Sequence, residues 1–147
     1  MSTPKNTAEQ FHGVWSLLGW HIEYPDGGIT HPLGETPTGQ LIYLPDGMVS
    51  VAMVRSGHGS VNQGGSDDGK IVNAMGYAND FQYDAQWSLV DDTVIHDVKW
   101  SLNPQMTGTK QIRKVGFEGQ DKLTLSTFEP MKNGQQREHV LKWARAK

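Results

Sequence analysis

The sequence predicts an all-β protein in which roughly eight antiparallel strands close into an up-and-down barrel. Three observations lead there. Seventeen glycines and seven prolines punctuate short segments rich in Val, Ile, Leu, Trp and Tyr, a spacing that suits strands and turns rather than helices. Several segments alternate apolar and polar side chains with a period of two, as in Val94-Ile95-His96-Asp97-Val98-Lys99-Trp100-Ser101-Leu102. Successive segments are joined by short turn sequences, so neighbours pair as hairpins, and closing the set on itself removes the edges that an open sheet would expose. A two-sheet sandwich is the competing packing.

Taken in order, Thr7-Ala8-Glu9-Gln10-Phe11 reads as a short amphipathic helix covering one end of the barrel, ahead of a first strand from Gly13 to Tyr24. Pro25-Asp26-Gly27-Gly28 then turns the chain. Leu41 to Leu44 and Met48 to Val54 form a hairpin around Pro45-Asp46-Gly47, where Pro presets φ and Gly accepts φ > 0. The stretch Ser56 to Gly69 carries five glycines and almost nothing apolar, so it reads as a long loop. After it, Ile71, Val72, Ala74, Met75 and Ala78 recur at near-helical spacing between Lys70 and Ala78. Together they suggest a loop-and-helix insertion near the barrel mouth, where it could act as a lid, against the alternative of a surface insertion with no role. Phe81 to Val90 is the next strand, linked through Asp91-Asp92 to the histidine-bearing strand. Thr109 to Phe117 follows the Asn103-Pro104 break, and Leu123 to Glu129 and Glu138 to Ala144 complete the set around Pro130 and Lys132-Asn133-Gly134. All of residues 1–147 are expected to form one domain.

Composition narrows the functional classes. With 13 basic and 16 acidic side chains and a net charge of -3, no basic cluster points to nucleic acid or an anionic membrane. Cysteine is absent, which removes disulfides, thiol nucleophiles and cysteine-ligated metals and leans the expected location toward the cytoplasm. No apolar signal core begins the sequence and no run approaches the roughly 20 apolar residues of a membrane span, so the chain reads as soluble. The six histidines, at 12, 21, 31, 58, 96 and 139, form no H-x-H or H-x-x-x-H pair, so neither a metal nor another cofactor is expected. There is no G-x-S-x-G elbow for a serine nucleophile, and the glycine-rich stretch lacks the Lys-Ser/Thr that a phosphate-cradling loop needs. A homodimer is left open.

Alternation also selects the candidate site. His96 falls on the apolar face with Val94, Val98, Trp100 and Leu102, and Arg113 falls with Thr109, Gln111, Val115 and Phe117. An interior that holds a histidine and an arginine requires either an internal polar network or a wet cavity, since burying such groups unpaired is costly. Tyr43, Met53, Tyr83 and Trp87 extend the inward set, giving aromatic walls with a few polar anchors, the make-up of a small-molecule pocket. The expected ligand-binding residues are therefore Tyr43, Met53, Tyr83, Trp87, His96, Trp100, Gln111 and Arg113. The competing structural role pairs Arg113 with Glu129, inward by the same alternation, and makes His96 a hydrogen-bonded core residue.

The segments resemble a known family. Gly13-Val14-Trp15-Ser16-Leu17 is similar to the G-x-W-x-L opening of lipocalin-type barrels. Further matches are Pro25-Asp26-Gly27, Pro32-Leu33-Gly34-Glu35 and Gly39-Gln40-Leu41-Ile42-Tyr43-Leu44-Pro45-Asp46-Gly47-Met48-Val49-Ser50, then His96, Asn103-Pro104, Gly108-Thr109, Gln111-Ile112-Arg113 and Leu123-Thr124-Leu125-Ser126. Together they resemble the lipocalin-like domain family of small bacterial and fungal proteins. The resemblance implies a barrel whose Trp15 closes the bottom and whose cavity takes a small, mostly apolar molecule. It also implies a further structural role for Arg113, as the cation supporting Trp15. The glycine-rich Ser56 to Gly69 stretch departs from the family pattern.

Two functions follow. In the first, the barrel binds a small apolar or amphipathic molecule, oriented by hydrogen bonds from His96, Tyr83 or Gln111. The alternative is a cofactor-independent isomerase or cyclase acting on a polyketide- or terpenoid-like substrate, with His96, titrating near neutrality, as the proton shuttle and Tyr43 or Tyr83 polarising a carbonyl. A third class, an interaction barrel, would have an interior filled by Trp15, Trp87, Trp100 and Phe117.

Overall fold

The computed structural model describes residues 6–55 and 81–146. A one-turn helix, α1 (Ala8–Phe11), precedes β1 (Gly13–Glu23), the two-residue β2 (Ile29–Thr30), β3 (Thr38–Tyr43), β4 (Met48–Val54), β5 (Phe81–Val90), β6 (Thr93–Ser101), β7 (Lys110–Glu118), β8 (Lys122–Pro130) and β9 (Gln136–Arg145). Each long strand pairs antiparallel with the next, and β1 also pairs with β9 from Trp15/Arg145 to Glu23/Glu138. The result is a closed eight-stranded barrel, with β2 as an additional short strand on β1. Closure leaves no open edge along the barrel, which is why a long, strongly twisted sheet of this kind is stable without a second layer.

The hairpins follow local turn chemistry. Gly47 at φ 103° closes the β3–β4 turn, and the Asp46 side chain accepts from Met48 N at 3.1 Å. Between β5 and β6 the left-handed position is taken by Asp91 (φ 56°), a residue type that tolerates it. Gly39 has a different reason to be glycine. A Cβ there would lie 2.9 Å from the Ala52 carbonyl oxygen and 3.0 Å from Leu17 Cβ, so β1, β3 and β4 pack this closely only because it has none.

Two bulges reset the alternation. On β1 the register with β9 slips between Leu17 and Gly19, leaving Leu18 exposed and turning Trp20 inward in place of the odd-numbered residues. On β6 the register with β5 slips between Asp84 and Ala85, with Lys99 as the extra residue. This overturns the inward placement of Trp100 and Leu102. Both are exposed, at 57% and 63%, and the Trp100 indole N–H donates outward to Asp84 Oδ2 at 2.8 Å.

The closed end of the barrel is packed solid. Phe11 is fully buried there, with Tyr43, Trp87 and Phe117 ring centroids 5.1, 5.3 and 5.1 Å away. The Trp15 indole N–H donates to Phe11 O at 2.9 Å, tying the helix to the first strand. The opposite rim is formed by the ends of β1, β4 and β8 and the starts of β5 and β9. The expected loop Ser56 to Gly69 and helix Lys70 to Ala78 lie outside the described residues. No helix among the described residues is long and apolar enough to cross a membrane.

Candidate functional site

Above the closed end lies a cavity of about 380 Å³, within the size range of small-molecule sites. Its apolar wall comes from Leu41, Val51, Met53, Leu125, Leu141 and Trp143, supplied by β3, β4, β8 and β9. Tyr83, His96, Gln111 and Arg113 form its polar floor, and Trp20, Thr127, Phe128, Glu129, Pro130 and His139 its remaining lining among the described residues. Of the expected ligand-binding residues, the structure thus brings Met53, Tyr83, His96, Gln111 and Arg113 together around one space. Tyr43 is fully buried beneath it and does not line it. Trp87 packs at the closed end against Phe11 and Tyr43, its indole N–H on Leu44 O at 3.3 Å, and Trp100 points outward. These three are not cavity residues, because position along the barrel axis and a bulge are invisible to simple alternation.

His96 is 1% exposed and both of its ring nitrogens are engaged, Nε2 with Tyr43 Oη at 2.7 Å and Nδ1 with Tyr83 Oη at 2.5 Å. Tyr43 has no other hydrogen-bond partner for its hydroxyl among the described residues. If Nε2–H donated to Tyr43, the tyrosine proton would be stranded in the core, at the cost of an unsatisfied buried donor. The favoured arrangement therefore has Tyr43 O–H donating to Nε2 and Nδ1–H donating to Tyr83. The Tyr83 oxygen is then an acceptor toward His96, and its own proton is directed elsewhere.

Burial fixes the protonation states. It lowers the His96 pKa to about 3, with Arg113 adding to the effect, so the imidazole is neutral. The expected titration near neutrality is corrected on this ground. Burial holds both tyrosine hydroxyls well above their ordinary value, Arg113 opposing it only in part. Burial also lowers the Arg113 pKa, partly offset by Tyr83 and Tyr43, yet a guanidinium remains charged at any ordinary pH.

Neither expected structural partner of Arg113 is found. Its Nη2 donates to Gln111 Oε1 and its Nη1 to the Ile112 carbonyl, both at 3.0 Å. Gln111 is held in turn, its Nε2 donating to Thr109 Oγ1 at 2.9 Å. Glu129 is taken by Arg137 Nε at 2.6 Å and His139 Nε2 at 2.8 Å, and these two hydrogen bonds, that of His139 first, hold its carboxyl below the usual range. Trp15 carries Arg145 instead, with the guanidinium carbon 4.2 Å from the ring centroid. The β9 alternation of Leu141, Trp143 and Arg145 held that signal, but the expected strand stopped at Ala144, one residue short.

The rim cluster was not expected from the sequence. The Trp20 indole N–H donates to His139 Nδ1 at 3.2 Å. A tryptophan can only donate, so Nδ1 is unprotonated and the ring proton sits on Nε2, facing Glu129. One signal was available, since His139 and Glu129 are both inward by period two on adjacent strands and pair with Thr127 and Arg137 respectively. Among the described residues no three His, Cys, Asp or Glu side chains are grouped to hold a metal ion.

Comparison with known proteins bears on the fold. Insecticyanin from the tobacco hornworm Manduca sexta superposes with a TM-score of 0.53 at 7% identity, over 98% of this chain and 66% of that one. Bovine odorant-binding protein, in complex with a selenium-containing odorant, aligns over 100% of this chain and 77% of its own at 12% identity and a TM-score of 0.47. No curated protein sequence matches. The model of the lipocalin-like domain family matches residues 12–146, and with every strand inside that match the chain belongs to the lipocalin-like domain family.

Proposed function

We propose that this barrel binds a small apolar or amphipathic molecule in the cavity between its closed end and its rim. The observation that carries this is the cavity itself: about 380 Å³ bounded largely by aliphatic and aromatic side chains, with a smaller set of hydrogen-bonding groups in its lining. Apolar walls supply affinity without direction, and Tyr83, Gln111 and Arg113 supply orientation. The isomerase or cyclase alternative needs an imidazole that accepts a proton near neutral pH, and a buried ring with a pKa of about 3 is a poor base. A neutral histidine clamped between two protonated tyrosines suits hydrogen-bond donation better than proton transfer. The lack of cysteine supports a cytoplasmic setting, and the chain is proposed to act as a single domain.

Titration with 1-aminoanthracene, a neutral apolar fluorophore, tests this. Saturable binding of one probe per barrel is expected, and Leu141→Trp, which fills the cavity, should abolish it. A linear, unsaturable signal from the wild-type protein would overturn the proposal.

A further inference from the structure

The polar floor of the cavity is unbalanced in a way that bears on what occupies it. Arg113 carries a full charge and uses donors only toward two uncharged acceptors, Gln111 Oε1 and the Ile112 carbonyl. Among the described residues no carboxylate lies within ion-pair distance of it. A half-buried guanidinium beside apolar walls and without a counter-charge favours an anionic neighbour.

A second donor on the cavity wall is unmatched. Trp143, a wall residue only 1% exposed, has its indole N–H buried without a hydrogen-bond acceptor among the described residues. The acceptors that could have served are already occupied: Gln111 Oε1 by Arg113, and Glu129 by Arg137 and His139. The negative charge of Glu129 at the rim is offset by Arg137, so it does not oppose entry of an anion as a lone carboxylate would.

We infer that Arg113, with the indole N–H of Trp143, forms a carboxylate-binding subsite, and that the occupant of the cavity is an amphipathic carboxylate whose apolar body lies against Leu41, Val51, Met53 and Leu125. This rests on the small-molecule-binding reading of the same cavity and adds the charge and chemical class of the ligand. A carboxylate supplies the missing counter-charge and has lone pairs enough for the guanidinium fork and a further donor at once. An alcohol or aldehyde of the same length would fill the walls equally well and leave the cation uncompensated.

Calorimetric titration with decanoate and with 1-decanol at pH 7.5 separates the cases, because the two probes share one chain length and differ only in the head group. Decanoate is expected to bind at least about tenfold more tightly, the scale of one charge-assisted hydrogen-bonded pair. Arg113→Gln should bring the ratio of the two affinities close to one, and Arg113→Lys should restore part of it. Equal affinities in the wild-type protein would overturn the carboxylate subsite while leaving the binding function intact, and this comparison needs no variant to fold. If Arg113→Gln folds and keeps the preference, the assignment to Arg113 is wrong. Failure of both probes to bind would overturn the small-molecule reading and this inference together.

Discussion

Arg145 lies over Trp15, its guanidinium carbon 4.2 Å from the indole centroid, while Nη1 and Nη2 donate to the carbonyls of His12 and Gln10 at 2.8 and 2.9 Å. One side chain near the end of the last strand thus fastens the first strand and the helix before it across the closed end of the barrel. Because Arg145 fills this role, Arg113 does not, and the cation on β7 is left to the cavity. The same arginine also donates from Nε to the Gln120 carbonyl at 3.1 Å.

Arg145→Ala is expected to destabilise the fold by about 2 kcal/mol, through loss of charged hydrogen bonds to carbonyls and of the stack on Trp15. Arg145→Lys should recover only a fraction, since an ammonium cannot serve separated carbonyls in the plane of a fork. Urea unfolding followed by tryptophan fluorescence measures both. Equal stability of Arg145→Ala and wild type would mean that Phe11 and Trp15 close the barrel unaided.

His96 makes stability depend on pH. Its pKa is about 3 in the folded protein against an ordinary value of 6.5, so between these values the unfolded chain binds the extra proton. Stability from this group is complete above pH 6.5 and is lost as pH falls toward 3, by up to about 1.4 kcal/mol per pH unit. Unfolding free energies of wild type and His96→Gln across pH 4 to 7 should differ in slope by this term, and parallel curves would contradict the burial assigned to His96.

Tyr43→Phe removes the donor to His96 Nε2 without changing the shape of the core. A loss of about 1–3 kcal/mol is expected, the usual cost of an unsatisfied buried acceptor. Proton–nitrogen correlation spectra of the wild-type imidazole should show the proton on Nδ1. Finding it on Nε2 would reverse the direction of both tyrosine hydrogen bonds and leave Tyr83 as the donor to the ring.

The two tryptophans Trp100 and Trp143 should respond very differently to truncation. Trp143→Ala empties a buried site and should cost about 3–5 kcal/mol. Trp100→Ala removes an exposed ring and one bond to Asp84, and should cost about 1 kcal/mol or less. Thermal or denaturant melts of the pair test the bulge at Lys99, because without it Trp100 would lie inside and the two costs would be alike.

Gly39→Ala should destabilise by about 1–3 kcal/mol, since its Cβ would meet the Ala52 carbonyl at 2.9 Å and neither backbone can yield without disturbing the ladder. An unchanged melting temperature would show that β3 and β4 have more room than their spacing implies.

What the sequence alone determined is local. A period of two assigned faces within a strand, and Pro-Asp-Gly and Asp-Asp placed hairpins between sequential antiparallel strands, because each such choice depends on a few adjacent residues; whether those strands close into a barrel or split into a sandwich does not. That is why Tyr83, His96, Gln111 and Arg113 could be placed indoors from residue pattern alone. Tertiary structure decided which inward residues meet at which height. Bulges at Leu18 and Lys99 invert the faces beyond them, closure of β1 on β9 brings Arg145 to Trp15 across 130 residues, and Tyr43 and Trp87 fall below the cavity rather than on its wall. Those outcomes depend on register between strands distant in sequence, which a single chain read residue by residue does not contain.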